Sequence, residues 1–189
     1  METELFANLA GNLNVGGGLA HSVLEEFEFT TFTHLSGAWQ YLQWSPVQNF
    51  RVNYYVNAGE FLAYNAAVPR IANGVNSGMN LNIQLFGKLQ MNFDGNYSTL
   101  WDKGRAGSLY NGWIWRGVAR YNPNRFVQAR LIAQWDGFSN RLLLQPLLQY
   151  QPSPFTLFYI GSSTLSELGA ASQHQLFAKV QITLAAGRS

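Results

Sequence analysis

The chain has 189 residues, of which 47% are hydrophobic, 15% aromatic and only 12% charged. This charged fraction is about half that of an ordinary soluble domain, while the aromatic content is too high for a disordered chain. The net charge of +2 is too small to indicate nucleic-acid binding, and the absence of cysteine excludes disulfides and thiolate metal sites.

The sequence shows neither a spanning helix nor a targeting segment. Purely apolar runs such as Leu142–Leu144 are only a few residues long, whereas a spanning helix needs roughly 20. A charged segment followed by an apolar core, the pattern of a signal peptide, is also missing. If the protein is exported, we expect this chain to be a mature form, a fragment or a chain expressed without its leader. We expect one domain, residues 1–189.

Apolar and polar residues alternate along most of the chain. The apolar series, taken from the N-terminus, are Leu5, Ala7, Leu9, Leu13 and Val15; Met79, Leu81, Ile83, Leu85, Leu89, Met91 and Phe93; Trp113, Trp115, Gly117, Ala119 and Tyr121; Val127, Ala129, Leu131, Ala133 and Trp135; and Leu176, Ala178, Val180, Ile182 and Leu184. The intervening positions are mainly Asn, Gln, Arg and Lys. A period of two places the two series on opposite faces of extended strands.

The connections predict an asymmetric meander of strands. Tight turns are expected at Ser45-Pro46, Phe86-Gly87, 122–124 and 151–154, and longer links at about 61–77, 98–108 and 162–172, with 136–140 a shorter one. Short turns on one side and longer loops on the other are typical of outer-membrane barrels. We count about eleven strands. Because a closed barrel with both ends on one side has an even number of strands, we expect one more, missed or merged, before Trp44. A bulge is expected at Pro146, which cannot donate to a ladder.

The low charge favours a membrane barrel over a soluble one. A soluble barrel turns its polar face to water and usually covers it with charged residues, whereas amides and hydroxyls can fill an enclosed lumen. The predicted fold is therefore an all-β, antiparallel up-and-down transmembrane β-barrel of about 10 to 12 strands. A sandwich or lipocalin-like core of the same aromatics is the alternative.

The two faces then predict two sets of residues. Lining the pore, we expect Arg51, Asn53, Asn82, Gln84, Lys88, Gln90, Arg116, Arg120, Gln128, Arg130, Arg141, Gln145, Lys179 and Gln181. At the membrane interface, where amphipathic rings are favoured, we expect Trp39, Tyr41, Trp113, Trp115, Tyr121, Trp135, Tyr150 and Tyr159. The lumen would be net basic, with Asp94 and Glu28 as its main acids. Since charge rings set ion preference, a weak anion preference is expected if the barrel conducts; arginines that plug a narrow barrel are the alternative.

Four segments near the C-terminus resemble a known family. These segments are Arg130–Gln134, Gln145–Tyr150, Pro154–Gly161 and Gln175–Lys179, with a weaker similarity at Gly59–Tyr64 and Pro69. They resemble the C-terminal outer-membrane β-barrel of a family of uncharacterised Gram-negative proteins that carry an N-terminal carbohydrate-binding-like domain. The resemblance covers roughly residues 50–183 and implies a barrel in the bacterial outer membrane. That N-terminal domain and the family's aromatic C-terminal end are absent here, so no sugar-binding role and no catalytic residue carry over.

Catalytic and metal-binding chemistry is not indicated. His21, His34 and His174 share no ligand spacing, and a set of His174, Ser172 and Glu167 is more simply explained by the abundance of serine. Gly16-Gly17-Gly18 is not followed by the pattern of a phosphate loop and is interpreted as a turn or strand kink. We expect no enzyme activity, cofactor or metal.

Three functions follow as hypotheses. The first is an integral outer-membrane barrel that acts as a narrow pore or a membrane anchor, with lipid or detergent as its partner and small ions or solutes in the lumen. The second is a soluble β-barrel that binds a small apolar ligand. The third is a hydrolase embedded in a barrel, whose turnover would depend on His174 or Ser172.

Overall fold

The computed structural model describes residues 2–27, 30–64, 69–104 and 107–183, without the side chains of residues 22–30. Eleven β-strands make up these residues. They are β1 (Glu2–Leu9), β2 (Leu13–Phe27), β3 (Thr30–Val47), β4 (Phe50–Ala63), β5 (Arg70–Leu85), β6 (Leu89–Asp102), β7 (Ser108–Tyr121), β8 (Val127–Asp136), β9 (Arg141–Ser153), β10 (Thr156–Glu167) and β11 (Gln173–Ile182). The described residues contain no helix that is long and apolar enough to cross a membrane.

The strands form an antiparallel up-and-down sheet. Their hydrogen-bonded order follows the chain from β1 to β11, and the ladders at both ends of this order are antiparallel. The predicted all-β meander and the count of about eleven strands are confirmed. The further strand expected before Trp44 is not found, since the described residues up to Trp44 form β1, β2 and most of β3. Alternation gives this result because each strand has an apolar face and a polar face of side chains. Neighbouring strands pair in the register that puts like faces on the same side of the sheet.

The links predicted to be long are shorter than expected. The residues between strands are 64–69, 103–107 and 168–172, because β5, β6 and β10 continue into the stretches expected to be loops. These stretches, such as Asn73–Gly78, are rich in Asn, Ser and Gly and therefore look like loops in sequence. In the strand these small residues lie under larger side chains: a Cβ on Gly78 would overlap the Tyr55 ring.

Two local predictions at prolines are wrong. Ser45-Pro46 lies within β3, beside a register shift between Trp44 and Val47, and the turn itself follows Val47. At Pro146 the β8–β9 ladder runs without a shift, pairing Leu131 with Pro146. The β9–β10 register is also the same on both sides of the proline, although no pairs are formed at positions 145 and 146. The missing N–H is therefore tolerated by an interrupted ladder and not by a bulge.

The chain divides into two compact units, which are described separately below. Unit 1 comprises residues 1–81 and 94–114, and unit 2 comprises residues 82–93 and 115–189. The expected single domain stays a prediction. Unit 1 holds a small buried cluster of Ala63, Ala72 and Leu100, against which Phe61 and Tyr110 pack.

Candidate functional site

The strand register of unit 1 sorts its side chains onto two faces. Asn8, Asn14, Gln43 and Asn53 pair across four strands and therefore share one face. The next row, Ala7, Val15, Leu42 and Tyr54, lies on the other face. We call these the polar face and the apolar face. Arg51 and Asn53, predicted to line a pore, lie on the polar face.

Hydrogen bonds connect the polar face of unit 1 into an amide ladder. Asn53 Nδ2 donates to Asn80 Oδ1 (3.3 Å), and Asn80 Nδ2 donates to Asp94 Oδ1 (2.6 Å). Tyr55 OH donates to Asn96 Oδ1 (3.2 Å). The Asp94 carboxylate, predicted as a lumen acid, is thus held by an amide. The role of Asn80 and Asn96 was not predicted, because amides are so frequent in the sequence that none stands out.

The ladder continues toward the buried cluster of unit 1. Ser98 Oγ donates to Asn76 Oδ1 and lies 3.3 Å from Tyr110 OH. Polar and apolar layers therefore follow one another along the same face. A polar network of this kind is rigid where its groups are satisfied.

An aromatic cluster also lies on the polar face of unit 1. Trp39 and Tyr41 are stacked at 6.1 Å between ring centroids, and Phe6 lies within 6.2 Å of both rings. Tyr41 pairs with Gly16 and Tyr55, so it shares a face with Asn53 and not with the leucines. The expectation that Trp39 and Tyr41 lie on the apolar face is wrong.

The glycine triplet explains this cluster. A Cβ on Gly16 would come within 2.6 Å of the Phe6 ring, and one on Gly18 within 2.8 Å of Trp39 Nε1. The triplet is therefore neither a turn nor a kink. It lies within β2, where the missing side chains make room for large rings from the neighbouring strands.

Two cations of unit 1, at the start of β5 and just after the end of β6, are paired with carboxylates. Arg70 Nη2 lies 3.0 Å from Asp102 Oδ2, and Lys103 Nζ contacts Glu60 Oε1. Glu60 Oε2 also accepts a hydrogen bond from Ser36 N (2.9 Å). These cations are therefore largely neutralised by neighbouring carboxylates.

Unit 2 shows the same two faces. Gln128, Gln149, Tyr159 and Lys179 form one row across β8 to β11, while Ala129, Leu148, Ile160 and Ala178 form the next. Tyr159 was predicted at the interface on the apolar face, but this row places it among the amides. That prediction of its face is wrong.

Among the described residues, four basic side chains on the polar face of unit 2 lack the carboxylate partners that Arg70 and Lys103 of unit 1 have. Within the described part of the chain, Arg116, Arg120, Arg130 and Lys179 have no carboxylate within 4 Å. Arg130 Nε is buried and has no hydrogen-bond partner there. Arg141, at the strand end, instead pairs with Glu167 at 3.0 Å. The polar face of unit 2 thus carries unpaired cations among amides and several apolar side chains, since Arg130 pairs with Leu147 and Gln181 with Leu157. Two of the amides pair locally, Gln128 with Asn122 and Gln145 with Ser163.

The remaining predicted pore-lining residues fall in three places. Asn82, Gln84 and Gln90 occupy the strand positions that alternate with the apolar series, and Gln181 follows Lys179 on its face. Lys88 lies in the turn between β5 and β6 and not in a strand, since its backbone N–H donates to Leu85 O (3.1 Å). The prediction for Lys88 is corrected accordingly. Glu28 lies outside the described residues.

The apolar faces of both units are uncovered. In unit 2, Ile160 is 60% exposed, Leu148 47% and Leu131 45%, although each lies on a strand with a neighbour on both sides. Among the described residues only five apolar side chains are buried, and no polar one is. Each unit also has a shallow apolar groove on this face, lined in unit 2 by residues that include Ala119, Ala129 and Leu148 and in unit 1 by residues that include Ala7, Gly17 and Ala38.

Five of the predicted interface aromatics lie on the apolar face. Trp113 and Trp115 each contact another ring, Tyr97 at 4.3 Å in unit 1 and Phe93 at 5.1 Å in unit 2. The other three are Tyr121, which borders the groove of unit 2, Trp135, which pairs with Leu142, and Tyr150, which pairs with Val127 and Phe158.

The imagined catalytic set is not assembled. His174 Nδ1 lies 3.1 Å from Thr164 Oγ1, and Ser172 Oγ lies 3.0 Å from Ser166 Oγ. Glu167 is occupied by Arg141. His21 and His34 each bond a neighbouring hydroxyl, on Ser36 and Thr33. In the part of the chain that the structure describes, no three His, Cys, Asp or Glu side chains are grouped as metal ligands would be.

No protein-family model matches the sequence, and no curated protein matches it.

Proposed function

We propose that this chain is an integral outer-membrane β-barrel that acts as a narrow, anion-preferring pore or as a membrane anchor. The observation that carries the proposal is the uncovered apolar face opposite a polar face of amides and cations. Leaving a large aliphatic side chain in water in place of an apolar environment costs about 1.5–3 kcal/mol. Large exposed side chains such as Leu131, Leu148 and Ile160 repeat along this face, and lipid is an environment in which they would be stable.

The strand lengths support a crossing of the bilayer. β8 has 10 residues, which at about 3.3 Å per residue and a tilt of about 40° cover roughly 25 Å. This is about the height of the apolar band of outer-membrane barrels. A lipid-embedded sheet cannot leave an open edge, so the proposal requires the order that runs from β1 to β11 to close into a barrel. The resemblance of residues 50–183 to outer-membrane barrels agrees with it.

The proposed anion preference rests on the unpaired cations of unit 2. Cationic side chains that line a lumen favour anions, and in unit 1 the cations Arg70 and Lys103 are offset by carboxylates. We therefore expect Arg116, Arg120, Arg130 and Lys179 to dominate the ion preference, together with Arg51 of unit 1, which likewise has no carboxylate within 4 Å among the described residues. In an anchor without an open lumen, the same residues would bind amides and water, and no ion current would pass.

Two measurements test this function. The soluble alternative predicts a monodisperse protein in plain buffer, whereas the proposal requires detergent or lipid. In planar bilayers under a salt gradient, the reversal potential should indicate anion preference, and Arg130→Gln with Lys179→Gln should reduce it. Arg130→Lys with Lys179→Arg, which changes the same two positions but keeps both charges, serves as the matched control and should leave it unchanged. Cation preference in the unsubstituted protein contradicts the proposed pore.

A further inference from the structure

Three successive tight turns of unit 2 each expose a phenylalanine. Phe86, between β5 and β6, is 93% exposed; Phe126, between β7 and β8, is 37% exposed; and Phe155, between β9 and β10, is 53% exposed. We call these turns the phenylalanine edge. Backbone hydrogen bonds link it, since Asn122 N donates to Lys88 O (2.8 Å) and Gln151 N donates to Phe126 O (2.7 Å). The three rings therefore belong to one continuous edge.

Phe86 is held there at a conformational cost. Its φ is +51°, and that of Gly87 is +64°. Both central residues of the turn from Leu85 to Lys88 are therefore left-handed. Asn-Gly is the usual choice for such a turn, and a bulky residue at positive φ is a genuine outlier. Since the ring is almost fully exposed, it gains little from packing within the chain. Packing within the chain therefore does not explain a phenylalanine at this position.

The phenylalanine edge is also cationic. Its turns contain Lys88 and Arg125, both exposed, and no acidic residue. The Arg125 guanidinium lies 4.5 Å from the centre of the Phe126 ring. The opposite edge of unit 2 also exposes apolar residues, Phe138 and Leu168, but its charged groups are Asp136, Glu167 and the paired Arg141.

The apolar face of β10 and β11 also favours this edge. Phe158, Ile160, Val180 and Ile182 lie nearest to the phenylalanine edge, Ala178 and Leu176 follow, and Ser162, Thr164, Ser166 and His174 extend toward the opposite edge. On these two strands the apolar band is therefore displaced toward the phenylalanine edge, which would bring that edge to the lipid boundary. There, a ring can enter the acyl region while a neighbouring cation reaches a phosphate.

We propose that the phenylalanine edge docks into an anionic phospholipid surface, with Phe86, Phe126 and Phe155 at the acyl boundary and Lys88 and Arg125 on the headgroup phosphates. This inference rests on the proposed membrane insertion. It adds which edge of unit 2 is anchored and which lipids it prefers.

Nitroxide labels on single cysteines test the anchoring, because the chain has no cysteine of its own. The labels are placed at positions 86, 126 and 155, with 138 and 168 as controls on the opposite edge and 148 on the apolar face. The protein is folded into vesicles of equal parts phosphatidylglycerol and phosphatidylcholine. We expect the labels on the phenylalanine edge to be several-fold more accessible to oxygen, relative to a water-soluble nickel chelate, than the labels at 138 and 168.

The outcomes separate the two proposals. If the label at 148 lies in lipid but those at 86, 126 and 155 are as exposed to the chelate as 138 and 168, the docking is overturned and the barrel remains. If the label at 148 is also exposed to the chelate, membrane insertion itself fails.

Lipid selectivity provides the second readout. Each cation near an anionic membrane surface changes the local affinity about five-fold, so Lys88→Gln and Arg125→Gln should each lower the preference for spin-labelled phosphatidylglycerol over phosphatidylcholine. Arg141→Gln removes the same charge from the opposite edge and should leave the preference unchanged. An equal loss in all three variants contradicts the proposed headgroup contact.

Discussion

Adjacent residues of β9 allow a direct test of which face meets the apolar environment. Leu148 lies in the row of Ala129 and Ile160 on the apolar face, and Gln149 lies in the row of Gln128 on the polar face. Leu148→Arg and Gln149→Arg therefore introduce the same side chain, one position apart, on opposite sides of the sheet.

The expected magnitudes differ strongly. An arginine on the lipid face near the middle of the bilayer costs about 2–4 kcal/mol, which is roughly a thirty- to eight-hundred-fold change in the folding equilibrium. An arginine in place of Gln149 joins a face that already holds amides and Lys179, and we expect it to cost less than about 1 kcal/mol.

The assay is equilibrium unfolding by urea of protein folded into phosphatidylcholine vesicles, followed by tryptophan fluorescence. We expect a clear loss of unfolding free energy for Leu148→Arg and a small change for Gln149→Arg. Equal losses, or a greater loss for Gln149→Arg, would refute the assignment of the two faces.

Three further substitutions test local features. Phe86→Asn should raise the unfolding free energy in detergent by roughly 1 kcal/mol, because it relieves a left-handed phenylalanine and creates an Asn-Gly turn; a loss of stability in detergent contradicts this. Gly16→Val should destabilise by about 1–3 kcal/mol through overlap with the aromatic cluster, whereas Gly117→Ala, whose new methyl would meet nothing closer than 3.8 Å, should lower the melting temperature little; equal effects would count against the cluster. Glu167→Gln should change stability by less than about 1 kcal/mol, because the pair with Arg141 is 40–51% exposed, but it should increase anion preference in planar bilayers by releasing that cation; an unchanged reversal potential would contradict this.

The alternation of apolar and polar residues predicted most of the fold, because it identifies a strand and its two faces from neighbouring residues alone. A regular alternation, as in Val127–Trp135, determines both the strand and its faces, and the register then follows. Turn residues such as Phe86-Gly87 and Asn122 placed several connections correctly.

The remaining features depend on contacts between strands, which alternation does not encode. In β3, aromatic residues and glutamines occur at both parities, so the face of Trp39 and Tyr41 is decided only by pairing with Gly16 and Gly18. Likewise, Asn73–Gly78 has the composition of a loop, yet it forms a strand because Gly78 accommodates the Tyr55 ring. Which cations are neutralised also depends on pairing, as the contrast between Arg141 and Arg130 shows.

The contact of the apolar face with lipid is tested most directly by single-cysteine nitroxide labels at positions 142–150 of β9, in protein folded into phospholipid vesicles. We expect the accessibility of the labels to alternate with a period of two residues. Labels at 142, 144, 148 and 150 should be accessible to oxygen in the bilayer, and labels at 143, 145, 147 and 149 should be accessible to a water-soluble nickel chelate. A pattern without this period, or one in which the labels at 142, 144, 148 and 150 meet the chelate and not oxygen, would contradict it.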